Sequence, residues 1–335
     1  MQSSADVKHS KNESAVKVEF QVPGLLYAEI ESVIKTAAYR DWQHFLETSV
    51  RNQLTLESTR AAKDAILLGD QIVQVKFPNY RELGRTWDKT RLHLRSACDP
   101  QSLRSPHMPF CNRIFPAKVA TRVLCNLLED QDGMTMHLFG DTLGMIAFDL
   151  GRYLQALDKA KQRGARLEAM CTAFPVRKRD IQASKRRFLQ HFVGALDSSG
   201  TASGMAVTLG FVAIDSSGQI GITEAGDAFA RIENPIIDHQ SVDRMESDLS
   251  KSEINMYLRV LEERLPQEAQ AMNTLKEIVK KGTRSYTDIC SKFREAFVPL
   301  GIDSKSLVSP LLSRMRELLL IKVESEGLKT YYDIL

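Results

Sequence analysis

The residues best suited to metal chemistry lie between positions 93 and 111. Two histidines and two cysteines fall within 19 residues there, namely His93, Cys98, His107 and Cys111. Their order, His-x4-Cys-x8-His-x3-Cys, matches none of the common spacings of structural zinc sites. Unrelated side chains of a proline-rich loop are therefore the better interpretation, and we expect neither a metal nor a cofactor.

Two other kinds of catalytic site are incomplete in this sequence. The glycines between positions 140 and 151 do not have the spacing of a phosphate-binding loop, and no Gly-Lys-Ser/Thr follows them. Asp141 and Asp149 with Lys159 are the nearest approach to the carboxylates and lysine of a nuclease, but they form no clustered motif. We therefore predict that the protein is not an enzyme; an active site within residues 1–116 remains the alternative.

Length and composition indicate a soluble protein of several domains. The chain has 335 residues, of which 43% are hydrophobic and 26% are charged, enough apolar material for packed cores. No apolar run is long enough to cross a bilayer, and the amino terminus lacks the apolar core of a signal peptide. Five scattered cysteines indicate a reducing compartment without a disulfide framework. We expect a cytoplasmic protein that does not contact membranes.

Basic residues are concentrated in the middle of the chain. Residues 81–187 contain 20 Lys/Arg and 11 Asp/Glu, a net charge of +9 against +3 for the whole chain. The densest run holds Arg177, Lys178, Arg179, Lys185, Arg186 and Arg187, and a sparser series holds Arg81, Arg85, Lys89, Arg91 and Arg95. Each set is interpreted either as a phosphate-binding surface or as a solvated or salt-bridged face.

Local patterns divide the chain into six parts. Apolar periodicity, turn residues and prolines set their boundaries. In chain order the parts are a polar disordered arm (1–17), an α-rich N-terminal domain of unknown role (18–116), a helical segment (117–175), a unit that begins with the basic run (176–235), an acidic helical connector (236–266) and a last unit (267–335).

Two of these parts contain a predicted β-hairpin. Two β-rich runs flank the turn Ser216-Ser217-Gly218, and Thr223 is the predicted N-cap of the helix that follows. In the last unit, Gly282 is predicted to end a first helix and Ser285 to cap a second. A third helix over 304–319 and a closing hairpin complete that unit.

This order of elements resembles the winged helix-turn-helix family of DNA-binding proteins. Residues 267–335 resemble the family over their whole length, through the order helix, turn, helix, turn, helix, hairpin. Residues 183–232 resemble it through Leu209-Gly210-Phe211-Val212 and Ile222-Thr223-Glu224-Ala225-Gly226, and residues 117–175 are interpreted as a more degenerate copy. The resemblance implies a mainly α fold with small β-hairpin wings, in which tandem winged-helix domains follow the α-rich N-terminal domain.

The resemblance also implies which residues contact DNA, because the third helix of such a domain enters the major groove and the wing lies on the phosphate backbone. On the third helix of the last unit, the side opposite the apolar residues carries Lys305, Ser306, Ser309, Ser313 and Arg316, and the wing carries Lys322 and Lys329. If that helix began at Ser309, a start that Pro310 would suit, Lys305 would leave this strip.

The middle unit departs from this pattern. Its predicted third helix, Thr201–Leu209, contains no Lys or Arg, so any contact with DNA there depends on the basic run from Arg177 to Arg187. We therefore predict a non-enzymatic protein that binds double-stranded DNA as a regulator or a replication or partition factor, as a homodimer or within a hetero-complex. The alternative is an assembly subunit of a multi-protein DNA-processing or defence complex, in which the winged helices contact other proteins.

Overall fold

In the computed structural model, helices dominate and the strands are confined to small antiparallel sheets, as the sequence predicted. The structure describes residues 4–5, 18–19, 24–36, 41–46, 48–50, 76–100, 108, 110–131, 133–160, 169–176, 180–198, 201–239, 248–296, 304–326 and 329–335. The chain forms two compact units, Met1–Lys76 and Phe77–Leu335. The proline-rich connection before residue 117, where the sequence predicted a domain boundary, lies inside the second unit.

The first unit contains one strand pair and a helix of 13 residues. Strand β1 (Ser4–Ala5) pairs antiparallel with β2 (Val18–Glu19), and helix α1 spans Gly24–Thr36. Residues 42–46 and 48–50 are also helical. The ring of Tyr27 on α1 stacks on that of Trp42, with 5.0 Å between the ring centroids.

The second unit begins with a mixed region that runs to residue 231. A short 3-10 turn, Lys89–Arg91, lies between its first two helices. In chain order the elements are α2 (Arg81–Gly84), α3 (Phe115–Leu128), β3 (Met134–Thr135), α4 (Met136–Ala160), α5 (Ile181–Phe188), β4 (Ala195–Leu196), β5 (Ala202–Ser203), α6 (Met205–Thr208), β6 (Val212–Ile214), β7 (Gln219–Ile222) and α7 (Glu224–Arg231). One π-helical turn, Leu189–Val193, extends α5.

A three-stranded sheet connects the early and late parts of this region. Strand β7 pairs antiparallel with both β6 and β3, so that Ile220 lies opposite Ile214 on one side and Met134 on the other. The predicted hairpin is therefore confirmed, and so is the N-cap, since Thr223 Oγ1 accepts a hydrogen bond from the Gly226 amide at 3.0 Å. The sheet also joins the segment 117–175 to the segment 176–235.

Helix α3 is the centre of the core. Thirteen of its 14 residues are buried, and Pro116 occupies its first turn, where the missing amide hydrogen is tolerated. Two of the buried residues are cations. Lys118 donates to the Phe229 carbonyl oxygen at the end of α7 and pairs with Glu253 at 2.9 Å, while Arg122 pairs with Asp238 at 2.7 Å. These contacts compensate the cost of burying charge.

The last part of the second unit is a helical region closed by a hairpin. Its elements are α8 (Lys251–Arg264), α9 (Pro266–Lys280), α10 (Tyr286–Ala296), α11 (Ser304–Glu317), β8 (Ile321–Glu326) and β9 (Lys329–Ile334). Gly282 has φ +87°, the left-handed conformation that ends a helix, and Ser285 Oγ accepts from the Asp288 amide. The helix stop, the cap and the closing hairpin that the sequence predicted here are all confirmed.

Two sequence-based assignments of helices are wrong. Residues predicted as the start of the helix Thr201–Leu209 form β5, which pairs with β4, and only the four buried residues of α6 are helical. The alternative start of the last helix at Ser309 is also wrong, because α11 begins at Ser304 and contains Pro310 in its interior.

Candidate nucleic-acid interface

The polar strip predicted on α11 is only partly accessible. Ser309 is exposed and Arg316 is half-buried, but Ser313 has 7% exposure and therefore no surface to offer to a base. The side chains of Lys305, Ser306 and Lys329 lie outside the described residues. On the wing, Lys322 pairs with Glu324 at 3.1 Å and lies 4.0 Å from Asp333, so that its charge is already balanced.

The buried side of α11 contacts Met108, Cys111, Ile114 and Phe115 through two charged side chains, Arg314 and Glu317. Arg314 is fully buried, forms an ion pair with Glu268 of α9, and donates to the carbonyl oxygens of Met108 (2.9 Å) and Cys111. Glu268 also accepts from the Met108 amide at 2.7 Å. Helix α11 is thus buried on its apolar side, to which Arg314 belongs, and at the adjoining Ser313.

The sequence carried one signal for this contact. Arg314 follows Leu307 by seven residues, which places the two side chains about 20° apart around a helix. Leu307 belongs to the apolar face, so a cation beside it indicates either a snorkelling side chain or a buried ion pair. The structure contains the ion pair.

Glu317, one turn after Arg314 on α11, accepts hydrogen bonds from backbone amides at the N-terminus of α3. Its two carboxylate oxygens accept from the amides of Ile114 (2.6 Å) and Phe115 (3.0 Å), where the helix dipole favours a negative charge. Burial nevertheless raises the pKa of Glu317 to about 7, with nearby Arg113 acting in the opposite direction and Asp248 in the same direction.

Replacement of Glu317 with Gln is expected to change the pH dependence of stability. A carboxyl whose pKa is higher in the folded state adds stability that is complete below its unfolded-state pKa and lost as the pH rises through about 7. The free energy of unfolding of the natural protein should therefore fall, relative to that of the variant, by on the order of 2 kcal/mol from about pH 5 to about pH 8. Urea denaturation across this range measures the difference. Parallel pH profiles for the two proteins would contradict it.

The sparser basic series is largely neutralised. Arg85 pairs with Glu129 at 2.7 Å and with Asp130 at 3.1 Å, while Arg95 pairs with Asp215 at 3.2 Å. The remaining pairs are long: Arg81 and Lys89 each have an acidic oxygen at 4.0 Å. The salt-bridged interpretation is confirmed for Arg85 and Arg95, whereas Arg91 is exposed and the described residues place no acidic oxygen within 4.0 Å of it.

The part of the dense run on α5 differs from that series. Arg186 and Arg187 are exposed and Lys185 is half-buried, and within the described residues none of the three has an acidic partner within 4.0 Å. Arg177, Lys178 and Arg179 lie outside the described residues. Helix α5 therefore presents cations whose charge is not balanced by neighbouring carboxylates in the described structure.

Helix α5 is held close to α4 by small residues. A Cβ atom at Gly140 would lie 2.8 Å from Leu189 Cδ1, and one at Gly144 would lie 3.2 Å from Lys185 Cδ. This close packing also places Lys185 Nζ 5.9 Å from the ring centroid of Phe148, with the Arg152 guanidinium 5.8 Å from the same centroid. Arg152 and Phe148, which sequence reasoning did not select, thus extend the basic face onto α4.

A groove of about 660 Å³ runs between α4 and α5 and reaches β4. Its apolar lining includes Met136, Met145, Leu189 and Leu196. Its polar lining is His137, Asp141, Gln182, Lys185, Arg186 and Gln190. The cations of α5 therefore line a concave surface that is partly apolar.

The residues first considered for metal chemistry do not form a site in the described structure. Among the described residues there is no group of three or more His, Cys, Asp or Glu side chains that would hold a metal ion, and His107 lies outside them. Cys111 is buried, which raises the pKa of its thiol to about 12, and it donates to the His191 carbonyl oxygen at 3.0 Å. Among the described helices, none combines the length and apolarity needed to cross a bilayer.

Comparisons with protein-family models, with curated proteins and with solved structures find no match to this chain.

Proposed function

We propose that the protein is a non-enzymatic, cytoplasmic DNA-binding protein that contacts the phosphate backbone of duplex DNA through α5. The observation that carries this proposal is the set of three cations without acidic partners, Lys185, Arg186 and Arg187, in the described part of a surface helix. Each cation that neutralises a phosphate releases a counterion and so adds to affinity. The five free cysteines support a reducing compartment.

Support for tandem winged helices comes from an arrangement that occurs twice. The order α3, β3, α4, α5 and hairpin β6–β7 matches the order α9, a single bridging residue, α10, α11 and hairpin β8–β9, except that β4, β5 and the four-residue helix α6 lie between α5 and its hairpin in the central copy. The bridging residue is Ser285, which pairs with Tyr331 of β9, just as β3 pairs with β7. In this alignment the third helix is α5 in the central copy and α11 in the last copy.

The two third helices have different surroundings, and this difference favours α5 as the DNA-binding helix. Helix α11 is buried by Arg314 and Glu317 against residues 108–115. Helix α5 exposes Gln182, Arg186 and Gln190, side chains that donate hydrogen bonds to bases or phosphates. The proposal thus replaces α11 with α5 as the contact to DNA.

One observation favours the alternative function, an assembly subunit of a DNA-processing or defence complex. Leu138 and Met145 on α4 are 52% and 51% exposed, and large apolar side chains beside a groove are typical of a protein interface. This alternative places a partner protein, and not DNA, on the surface between α4 and α5.

Binding to a fluorescently labelled random duplex of about 40 base pairs tests the proposal. Fluorescence anisotropy at about 50 and 200 mM salt should give micromolar or tighter binding at the lower salt and a steep loss at the higher salt. A duplex that remains unbound at the lower salt would overturn the proposal in favour of the assembly subunit.

A further inference from the structure

The groove between α4 and α5 combines exposed apolar side chains with unbalanced positive charge. Met145 lines it at 51% exposure, and Leu138 lies two turns earlier on α4, about 20° away around the helix. Gly140 and Leu189 both line the groove, and Leu189 approaches α4 closely because Gly140 has no side chain. Leu138 and Met145 are thus two exposed apolar side chains about 10 Å apart along one face of α4, with Asp141 and Thr142 between them.

Two cations and one carboxylate line the groove, so its net charge is positive. Asp141 lies 3.4 Å from the Nδ1 atom of His137 on the same helix. Lys185 and Arg186 line the groove from α5, and within the described structure neither has an acidic partner. A segment that fills the groove therefore meets apolar side chains along α4 and two cations along α5.

We propose that this groove binds an acidic amphipathic helix of a partner protein. An amphipathic helix presents apolar anchors at i, i+3 or i+4, and i+7, a spacing that matches the separation of Leu138 and Met145. Acidic side chains beside those anchors complement Lys185 and Arg186. DNA uses only the cations of this surface, so the exposed leucine and methionine favour a protein segment as the occupant.

The inference goes beyond the proposed function and does not depend on it. If DNA also binds α5, the acidic helix and the duplex compete for Lys185 and Arg186, and the partner then acts as an inhibitor of DNA binding. If DNA does not bind, the groove remains a protein interface.

Selection from a displayed library of random 16-residue peptides against the whole chain tests the inference. The enriched peptides are expected to carry net negative charge and apolar residues at helical spacing. Their synthetic versions should bind the variant Leu138→Ser/Met145→Ser at least 10-fold more weakly than the natural protein. The variant should keep its circular dichroism spectrum and melting temperature, because both positions are half-exposed.

A charge exchange supplies the second measurement. The variant Lys185→Glu/Arg186→Glu should no longer bind the acidic peptides. It should bind versions of these peptides in which the Asp and Glu residues are replaced with Lys. Duplex binding separates the two proposals, since Leu138→Ser/Met145→Ser leaves the cations in place and should not change DNA affinity.

Three results would overturn the inference. The first is a set of enriched peptides without acidic excess, and the second is peptide binding that Leu138→Ser/Met145→Ser leaves unchanged. The third is a dimer in analytical ultracentrifugation that this variant converts to a monomer, because a second copy of the chain would then occupy the groove.

Discussion

Replacing Arg314 with Met is expected to lower the free energy of unfolding by about 3–5 kcal/mol, because it leaves a fully buried carboxylate without its cation. Glu268, at 0% exposure, has Arg314 as its ion-pair partner on α11. The same guanidinium donates to the carbonyl oxygens of Met108 and Cys111, which the methionine cannot replace. Urea denaturation followed by far-UV circular dichroism measures the loss.

A matched control lies on the surface of the same region. Arg284 pairs with Glu324 at 2.7 Å, but both side chains are 45% exposed, so Arg284→Met should cost less than about 1 kcal/mol. The double variant Arg314→Met/Glu268→Met should be more stable than Arg314→Met alone, because it leaves no unpaired charge in the core. A loss below about 1 kcal/mol for Arg314→Met would show that the pair contributes little at this contact.

The stability contributed by Arg314 bears directly on function. A helix that reads bases in the major groove must present a broad polar face, whereas among the described side chains of α11 only those of Ser309, Pro310 and Arg316 are not buried. By contrast, Arg186 and Arg187 of α5 are exposed, and so is Gln190 in the π-helical turn that extends this helix. Under the proposed function, the same type of element packs in the last copy and binds DNA in the central one.

Features set by short-range chemistry could be predicted from the sequence. Thr223 caps α7 and Ser285 caps α10 through hydrogen bonds to amides three residues ahead. Gly218 and Gly282 take positive φ angles of 78° and 87° at a hairpin turn and a helix end. Each of these signals acts within a few residues, so the pattern alone was sufficient.

Features set by distant contacts could not be predicted in the same way. Ser313 was expected to meet solvent or DNA but is buried, and the nearby Glu317 bonds to Ile114 and Phe115 some 200 positions earlier in the chain. Strand β3 has only two residues and is defined by its pairing with β7. The candidate site shows the same limit, since the basic run was visible in the sequence while Phe148, Arg152 and Met145 joined it only through the packing of α4 on α5.

Neutralising the cations of α5 is expected to produce the largest loss of DNA binding. The variant Lys185→Gln/Arg186→Gln/Arg187→Gln removes three positive charges and keeps residues of similar helix propensity. If each cation neutralises one phosphate, the slope of log affinity against log salt should flatten by about 2.7, which corresponds to roughly 500-fold weaker binding at about 0.1 M salt. Fluorescence anisotropy over a salt series measures both quantities.

A second set of three lysines separates a specific contact from an effect of net charge. Lys276 and Lys280 lie near the end of α9 and Lys281 directly follows it. Lys276 is half-buried, as Lys185 is, the other two are exposed, and replacement of all three with Gln changes the net charge by the same amount. Because counterion release requires close contact with phosphate, this control should keep most of the natural affinity and nearly the full salt slope. Equal losses in the two variants would mean that DNA responds to the overall charge of the protein, and α5 would then have no special place in its binding.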